Sequence, residues 1–399
     1  MRIADIQVTP VNVPFVAPIR WSGGANANWT RLIVQMRTDD GLVGLGETLG
    51  GGVTKALIDT EIAPMFLGED PFDLVRALGK ATFVPLYNGK LGYCAIAGLE
   101  VACWDLMGKA TGRPLCRLLG GKMRDEIPFA AYLYYRNPDR DGRNAIVTRA
   151  DIVATARDYV ARHGFTTIKY KGGVVGAAEE VATLEALREA FPDARLRYDP
   201  QAIYSAASAL RIGKAIERLD LEYYEDPCWG NEAMARVRAR LAIPIASNMA
   251  TIDLDSTAEA IRMGAVDVVL GDIFEWGGIT AIKRLQGVCE TFQLGLNFHS
   301  AGELGIATAA YLHLAASMPA LPHAADTHAL ELAADVVKPG VVGLTDHATM
   351  RVPDGPGLGV ELDPDRFAAA AEAYLRLGDQ SVYAEDAAHQ GAIPVKSML

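Results

Sequence analysis

Two textures of apolar and polar positions divide the chain. In the first, "RIADIQVTPVNVPF" and "RLIVQMRTDDGLVGLGE" alternate with the period of half-buried strands, and the Asp39-Asp40-Gly41 turn predicts antiparallel pairing. The stretch "GLEVACWDLMGKATG", Gly98 to Gly112, follows with helical periodicity. Residues 1–124 therefore read as an α+β domain. Beyond "LLGGKMRDEIP" short apolar runs alternate with longer helical segments, among them Asp151–His163, Ala178–Ala190 and Ala206–Arg218. Strands that alternate with helices predict βαβ units and a parallel sheet.

The candidate strands of this second part number eight: "PFAAYLY" ending at Tyr134, "TTIKYK" at Lys171, "ARLRYD" at Asp199, "LEYYE" at Glu225, "IPIAS" at Ser247, "VDVVLGD" at Asp272, "LGLNFH" at His299 and "LPHAAD" at Asp326. Eight is the number that closes a (β/α)8-type TIM barrel, here over residues 125–354. From Lys171 through Asp199, Glu225, Asn248, Asp272, His299 and Asp326 the polar residues recur at steps of 23 to 28 positions, the length of one strand, one helix and two loops. The C-terminal ends of barrel strands form a single mouth, so these groups are expected to converge there. Past about Gly355, "FAAAAEAYLRLG" is an amphipathic helix outside the eightfold count, and the segment 355–399 is expected to return to the first domain.

Convergence gives the polar residues a chemistry. Asp199, Glu225 and Asn248 supply two carboxylates and an amide from successive strands, hard oxygen donors suited to Mg²⁺ with positions left open for substrate. Asp272 and His299 end neighbouring strands, where the carboxylate would fix the imidazole tautomer and raise its basicity. His163, His313, His347 and His389 have no such place and read as ordinary hydrogen-bonded residues. In "TTIKYKGG", Lys169 and Lys171 are two apart and must share a strand face. Alone, the pair would read as a solvated face. Beside a metal site, Lys171 reads as a base and Lys169 as the cationic neighbour that depresses its pKa. Such groups flanking a cation-bound carboxylate equip a protein to remove the proton α to that carboxylate.

Composition narrows the partners. With 399 residues and a formal net charge of −11, and with no basic block, the chain offers nothing to a nucleic acid. No apolar run reads as long enough to span a bilayer, and Asp5 interrupts the place where a signal peptide would begin, so no membrane partner and a cytoplasmic location are expected. Cys94, Cys103, Cys116, Cys228 and Cys289 are odd in number and lack CxxC spacing, which signals neither disulfides nor zinc.

The stretches "KYKGG", "RYDPQ", "YYEDPC", "IASNM", "FHS" and "ADTH", with "GLEVACWDLMGKATGRPL" and "PGLGVELD", resemble the enolase superfamily of the mandelate racemase and muconate lactonizing type, in its glucarate dehydratase-like branch. The resemblance covers nearly the whole chain. It implies that Lys171 and the His299–Asp272 pair are the acid/base groups and that Asp199, Glu225 and Asn248 bind Mg²⁺. It further implies that Lys169 and Asp326 line the site, that Tyr132 and Tyr134 face substrate, and that the cap loop Trp21–Arg31 and the glycine run Leu49–Val53 close over it. Two departures stand out. Where glucarate dehydratases resemble "HSNN", this chain reads "HSAG" with Ala301, and the loop "SGGANANWTR" lacks a histidine usual there but offers Asn28, Thr30 and Arg31. The implied activity is a Mg²⁺-dependent dehydration of a small-molecule sugar acid by a homo-oligomer. A racemase, epimerase or cycloisomerase would use the same parts, and a non-catalytic carboxylate-binding protein is the alternative from another class.

Overall fold

The computed structural model describes residues 1–81 and 83–380; His389 and the rest of 381–399 lie outside the described residues. The cap is built on β1 (Ile3–Trp21), β2 (Gly24–Thr38) and β3 (Val43–Leu49), antiparallel in the order β3-β2-β1. The turn between β2 and β3 is the Asp-Asp-Gly turn, with Gly41 at φ +92°. Helix α1 (Lys90–Thr111) lies across this sheet so closely that a Cβ on Gly46 would sit 1.9 Å from the Gly98 carbonyl oxygen.

That helix corrects one sequence reading. It has 22 residues and is long and apolar enough to cross a membrane by length and composition, yet 83% of its most apolar window is buried inside the protein. Its apolar surface is taken up by the cap sheet. The Trp21–Arg31 segment is corrected too. It is not an open loop: β1 and β2 pair through it, with Ile19 opposite Asn26 and Trp21 opposite Gly24, so it is the end of a long hairpin.

The second part is a parallel sheet of β4 (Ala131–Leu133), β5 (Thr167–Lys171), β6 (Arg195–Asp199), β7 (Tyr223–Glu225), β8 (Ile245–Ser247), β9 (Val268–Gly271) and β10 (Gly295–Phe298), in sequence order around the ring. Helices α2 (Arg149–His163), α3 (Ala177–Ala190), α4 (Ala206–Ile216), α5 (Asn231–Arg238), α6 (Leu254–Met263) and α7 (Ile279–Phe292) connect successive strands from β4 to β10, and α8 (Gly305–Ala316) follows β10. Local chemistry sets their ends: Thr148 and Asp151 form a capping box before α2, which stops at Gly164 in the left-handed region, and Asp253 with Ser256 and then Gly264 do the same for α6.

The expected eighth strand, "LPHAAD", is not a strand. Ala325 makes a single parallel bridge with Phe129, Ala130 N–H donates to Ala325 O at 2.9 Å, and Asp326 N–H donates to Phe298 O at 3.1 Å. These bonds join the two edges of the seven-stranded sheet, so the ring closes through one short extended segment. Pro322, which has no N–H to give, precedes it. Asp272 and His299 also fall one residue beyond their strands, because pairing ends at Gly271 and Phe298.

Every residue of β5 is buried, and period-2 alternation sorts its neighbours into two sets. Tyr170, Tyr198 and Tyr224 stack on one another behind the sheet, with ring centroids 5.8 and 5.3 Å apart. Lys169, Lys171, Arg197, Asp199 and Glu225 take the other face, inside the ring. The cap is docked by buried carboxylates at helix N-termini, where unsatisfied N–H groups favour negative charge. Glu47 of β3 accepts from Leu304 and Ala307 at the start of α8, and Glu100 of α1 accepts from Ile279 and Thr280 at the start of α7. Helix α9 (Pro364–Leu377) packs on β1, and the chain beyond it is tied to the cap by Asn12 Nδ2 donating to Gly378 O and Gln380 N–H donating to Thr30 Oγ1, both at 2.9 Å.

Candidate active site

Parallel register decides which inward side chains meet. Lys171 stands opposite Asp199 and Lys169 opposite Arg197 across β5 and β6. Lys171 Nζ accordingly lies 2.6 Å from Asp199 Oδ2. Lys169 reaches further and faces three carboxylates: Asp326 Oδ2 at 2.6 Å, Glu225 Oε2 at 2.7 Å and Asp199 Oδ2 at 3.4 Å. It is fully buried, and its ammonium sits 4.5 Å from the centre of the Tyr132 ring. A solvated face is thereby excluded for both lysines. Burial works against the charge on Lys169, but Asp326, Glu225 and Asp199 outweigh it and hold its pKa well above the ordinary value.

The carboxylates are perturbed in opposite senses. Burial pushes Glu225 up, to about 8, and the charge of neighbouring Asp199 pushes the same way. Asp199 is held well below the carboxylate range, because Lys171 and Lys169 together outweigh its burial. Glu225 Oε2 makes its ion pair with Lys169 without hydrogen-bond geometry, and Oε1 has no hydrogen-bond partner among the described residues. Two fully buried carboxylates side by side, one with an orphaned oxygen, and the Asn248 amide on the next strand end form a hard-oxygen set that fits a divalent cation.

His299 and Asp272 are paired: Nδ1 of the ring lies 2.8 Å from Asp272 Oδ2, while Asp272 Oδ1 accepts from the Phe274 and Glu275 N–H groups. Burial lowers the basicity of His299, but the Asp272 hydrogen bond and the charges of Glu275 and Asp272 prevail and push it up to about 9. The fields of Asp199 and Glu225 are felt at His299 and that of Lys169 opposes them, so the dyad and the lysine cluster share one low-dielectric chamber.

The remaining expected site residues divide. Tyr132 O–H donates to Asp199 Oδ2 at 3.2 Å, and Tyr134 O–H lies 2.6 Å from His328 Nε2. Both carboxylate oxygens of Asp326 are engaged, one by Lys169 and one by Arg197 Nη1 at 3.0 Å. The Arg31 guanidinium is spent on backbone carbonyls, with Nε to Gly302 O at 3.1 Å, Nη1 to Thr30 O at 2.8 Å and Nη2 to Ala301 O. It therefore holds the turn that follows His299. Thr30 donates to Asn12 Oδ1, and Asn28 faces Gln380, so both belong to the seam between the hairpin and the C-terminal segment.

Several residues were not singled out from the sequence. His328, fully enclosed, bridges Tyr134 and Ser300 Oγ and lies 4.6 Å from the Trp29 ring. Its signal was its place in "ADTH", two positions after Asp326. Asp226 adopts a left-handed φ of 36° and accepts from Ser247 Oγ and from the Asn248 and Met249 N–H groups, a strained residue that fixes the backbone at Asn248. Glu275, between Lys90 and Asn248, had no signal beyond following Asp272 by three.

Residues 3–120 match the mandelate racemase/muconate lactonizing enzyme N-terminal domain, and residues 151–366 match the enolase C-terminal domain-like family. A probable glucarate dehydratase of Streptomyces coelicolor is 37% identical over 92% of this chain and 90% of its own. A chloromuconate cycloisomerase of Pseudomonas putida is 28% identical over 92% of this chain and 98% of its own. The crystal structure of an enolase from Pseudomonas fluorescens with bound magnesium, potassium and tartrate superposes with a TM-score of 0.88 at 32% identity, covering 95% of this chain and 94% of that one. With a capping sheet, a parallel α/β ring and family matches over both, the chain is an enzyme of the enolase superfamily, in its mandelate racemase/muconate lactonizing group.

Proposed function

We propose that this protein is a Mg²⁺-dependent dehydratase of a sugar acid, yielding a 2-keto-3-deoxy acid. The observation that carries the reading is that the lysine pair and the Asp272-held His299 face one buried carboxylate cluster from different strands. Asp199, Glu225 and Asn248 would hold the ion, which when bound supplies Lewis-acid stabilisation of the enediolate. Lys171 takes the proton from the α-carbon, and the charge on Lys169 opposes the negative charge that develops. His299, protonated at neutral pH with a pKa of about 9, gives its proton to the β-hydroxyl as the Cβ–O bond breaks, so that water leaves. The resulting enol takes up a proton at the β-carbon and becomes the ketone. A racemase or cycloisomerase reading is favoured by one observation, the presence of two acid/base groups on separate strands, which is also what two-faced proton transfer needs.

The test is a panel of mono- and diacid sugars incubated with the protein and Mg²⁺ in deuterated buffer, followed for 2-keto acid and for α-deuterium. Keto acid formation that stops on chelation is the expected result. Exchange across the panel with no keto acid would replace the dehydratase by the racemase, and neither signal with any acid would leave a binding protein.

The dyad has its own signature. In Asp272→Asn the ring loses its anionic partner, so the His299 titration midpoint, read by NMR of the ring, is expected to fall from about 9. A histidine whose pKa is raised on folding stabilises the fold fully below its unfolded value of 6.5 and loses that contribution as pH rises through about 9. The Tm advantage of the wild type over Asp272→Asn should therefore shrink across that window, and kcat should fall by about 10²- to 10⁴-fold. Equal midpoints would dissolve the dyad.

A further inference from the structure

We infer that Glu275 sets which edge of the Asn248 amide is offered to the cation, and that Lys90 of the cap holds Glu275 in the pose that does so; the inference rests on the reading of Asn248 as a ligand. The two edges of an amide have nearly the same shape and opposite chemistry: Oδ1 accepts or ligates, while Nδ2 only donates. A hard cation takes Oδ1 alone. Something in the protein must therefore choose the edge.

Glu275 is placed to make that choice. Asn248 Nδ2 donates to Glu275 Oε2 at 3.3 Å, and an ionised carboxylate has no proton to offer Oδ1 in return. The backbone at Asn248 is pinned separately, its N–H donating to Asp226 Oδ2 at 3.1 Å, so rotation of the side chain is the freedom that remains. With Nδ2 turned to Glu275, Oδ1 is the opposite edge. The other oxygen of Glu275 lies 2.5 Å from Lys90 Nζ, at the first residue of α1. The ammonium can only donate, so it fixes one oxygen of Glu275 there and leaves Oε2 to face Asn248.

The same contact gives a reason for an amide at position 248. Glu275 has ligand atoms within 4.8 Å of those of Asp272 and His299, and an aspartate at 248 would bring one more carboxylate against it. An asparagine turns that neighbour into a hydrogen-bond acceptor. Because Lys90 belongs to the cap and Asn248 to the barrel, the chain Lys90–Glu275–Asn248 makes cation affinity depend on how the cap is seated.

The decisive variant is nearly isosteric. In Glu275→Gln, Lys90 claims the remaining oxygen, the new Nε2 faces Asn248 and draws Oδ1 toward itself, so the wrong edge is presented. Glu275→Leu removes the same charge but leaves the amide free to turn. Calorimetric titration of the full chain with Mg²⁺ should give affinities in the order wild type, Glu275→Leu, Glu275→Gln, the last about 10- to 100-fold weaker than wild type. Lys90→Met added to Glu275→Gln should recover part of that loss. In an Asn248→Asp background, where both edges are oxygen, Glu275→Gln should cost nothing. Equal affinities for the Gln and Leu variants, or an equal loss in the Asn248→Asp background, would overturn the inference and reduce Glu275 to a distant charge. Wild type that fails to bind Mg²⁺ would overturn the cation reading itself, a different result from binding that ignores Glu275.

Discussion

Lys171→Ala is expected to abolish α-proton exchange from one face of the substrate and to lower kcat by about 10⁴-fold, the upper end of what a positioned base contributes. The expectation comes from placement. Lys171 is the last residue of β5, its side chain is 7% exposed where Lys169 is 0%, and its polar contact is the 2.6 Å pair with Asp199. Its removal leaves a carboxylate that Lys169 still faces at 3.4 Å, so the fold should survive. Circular dichroism unchanged from wild type, together with deuterium incorporation at the α-carbon reduced to background, is the result sought. Exchange that persists undiminished for both α-configurations would make Lys171 only a counter-ion of Asp199.

Lys169→Met should fail in another way. Lys169 is the shared cation of Asp326, Glu225 and Asp199, and its loss leaves buried negative charge uncompensated, at a cost of about 3–5 kcal/mol to the metal-free protein. Magnesium binding selects the folded state and supplies positive charge to the same cluster, so saturating Mg²⁺ should restore part of the lost Tm. The measurement is thermal unfolding of both proteins with and without the ion. A metal-free Tm equal to wild type would remove Lys169 from the role of counter-ion. This role is prior to the tuning of Lys171 that the sequence suggests, since what the ammonium touches is carboxylate.

The strand ends were legible because barrel geometry turns a one-dimensional spacing into a shared mouth. Residues 23 to 28 apart with polar tips are enough to nominate Asp199, Glu225, Asn248, Asp272 and His299, and period-2 alternation is enough to put Lys169 and Lys171 on one face. The antiparallel cap pairing and the helix stops at Gly164 and Gly264 were equally local, since turn and cap chemistry act over a few residues.

Apart from the Asp272–His299 pair, side-chain contacts between elements were not legible. Which carboxylate each lysine meets follows from strand register and side-chain reach, which place Lys171 against Asp199 and send Lys169 to Asp326 and Glu225. The eighth ring position looked like a strand but pairs too few residues to be one, because its hydrogen bonds are limited by its neighbours at Phe129 and Phe298. Arg31 and Asp326 looked like substrate contacts, and the fold spends Arg31 on the turn after His299 and Asp326 on Lys169 and Arg197. His328 and Glu275 carried little signal because their partners, Trp29 and Lys90, come from the other domain. Periodicity and spacing report the environment of a residue along its own element, whereas a hydrogen bond across 157 or 271 positions of chain, such as Lys169 to Asp326 or Arg31 of the cap hairpin to Gly302, exists only once docking has brought the two ends together.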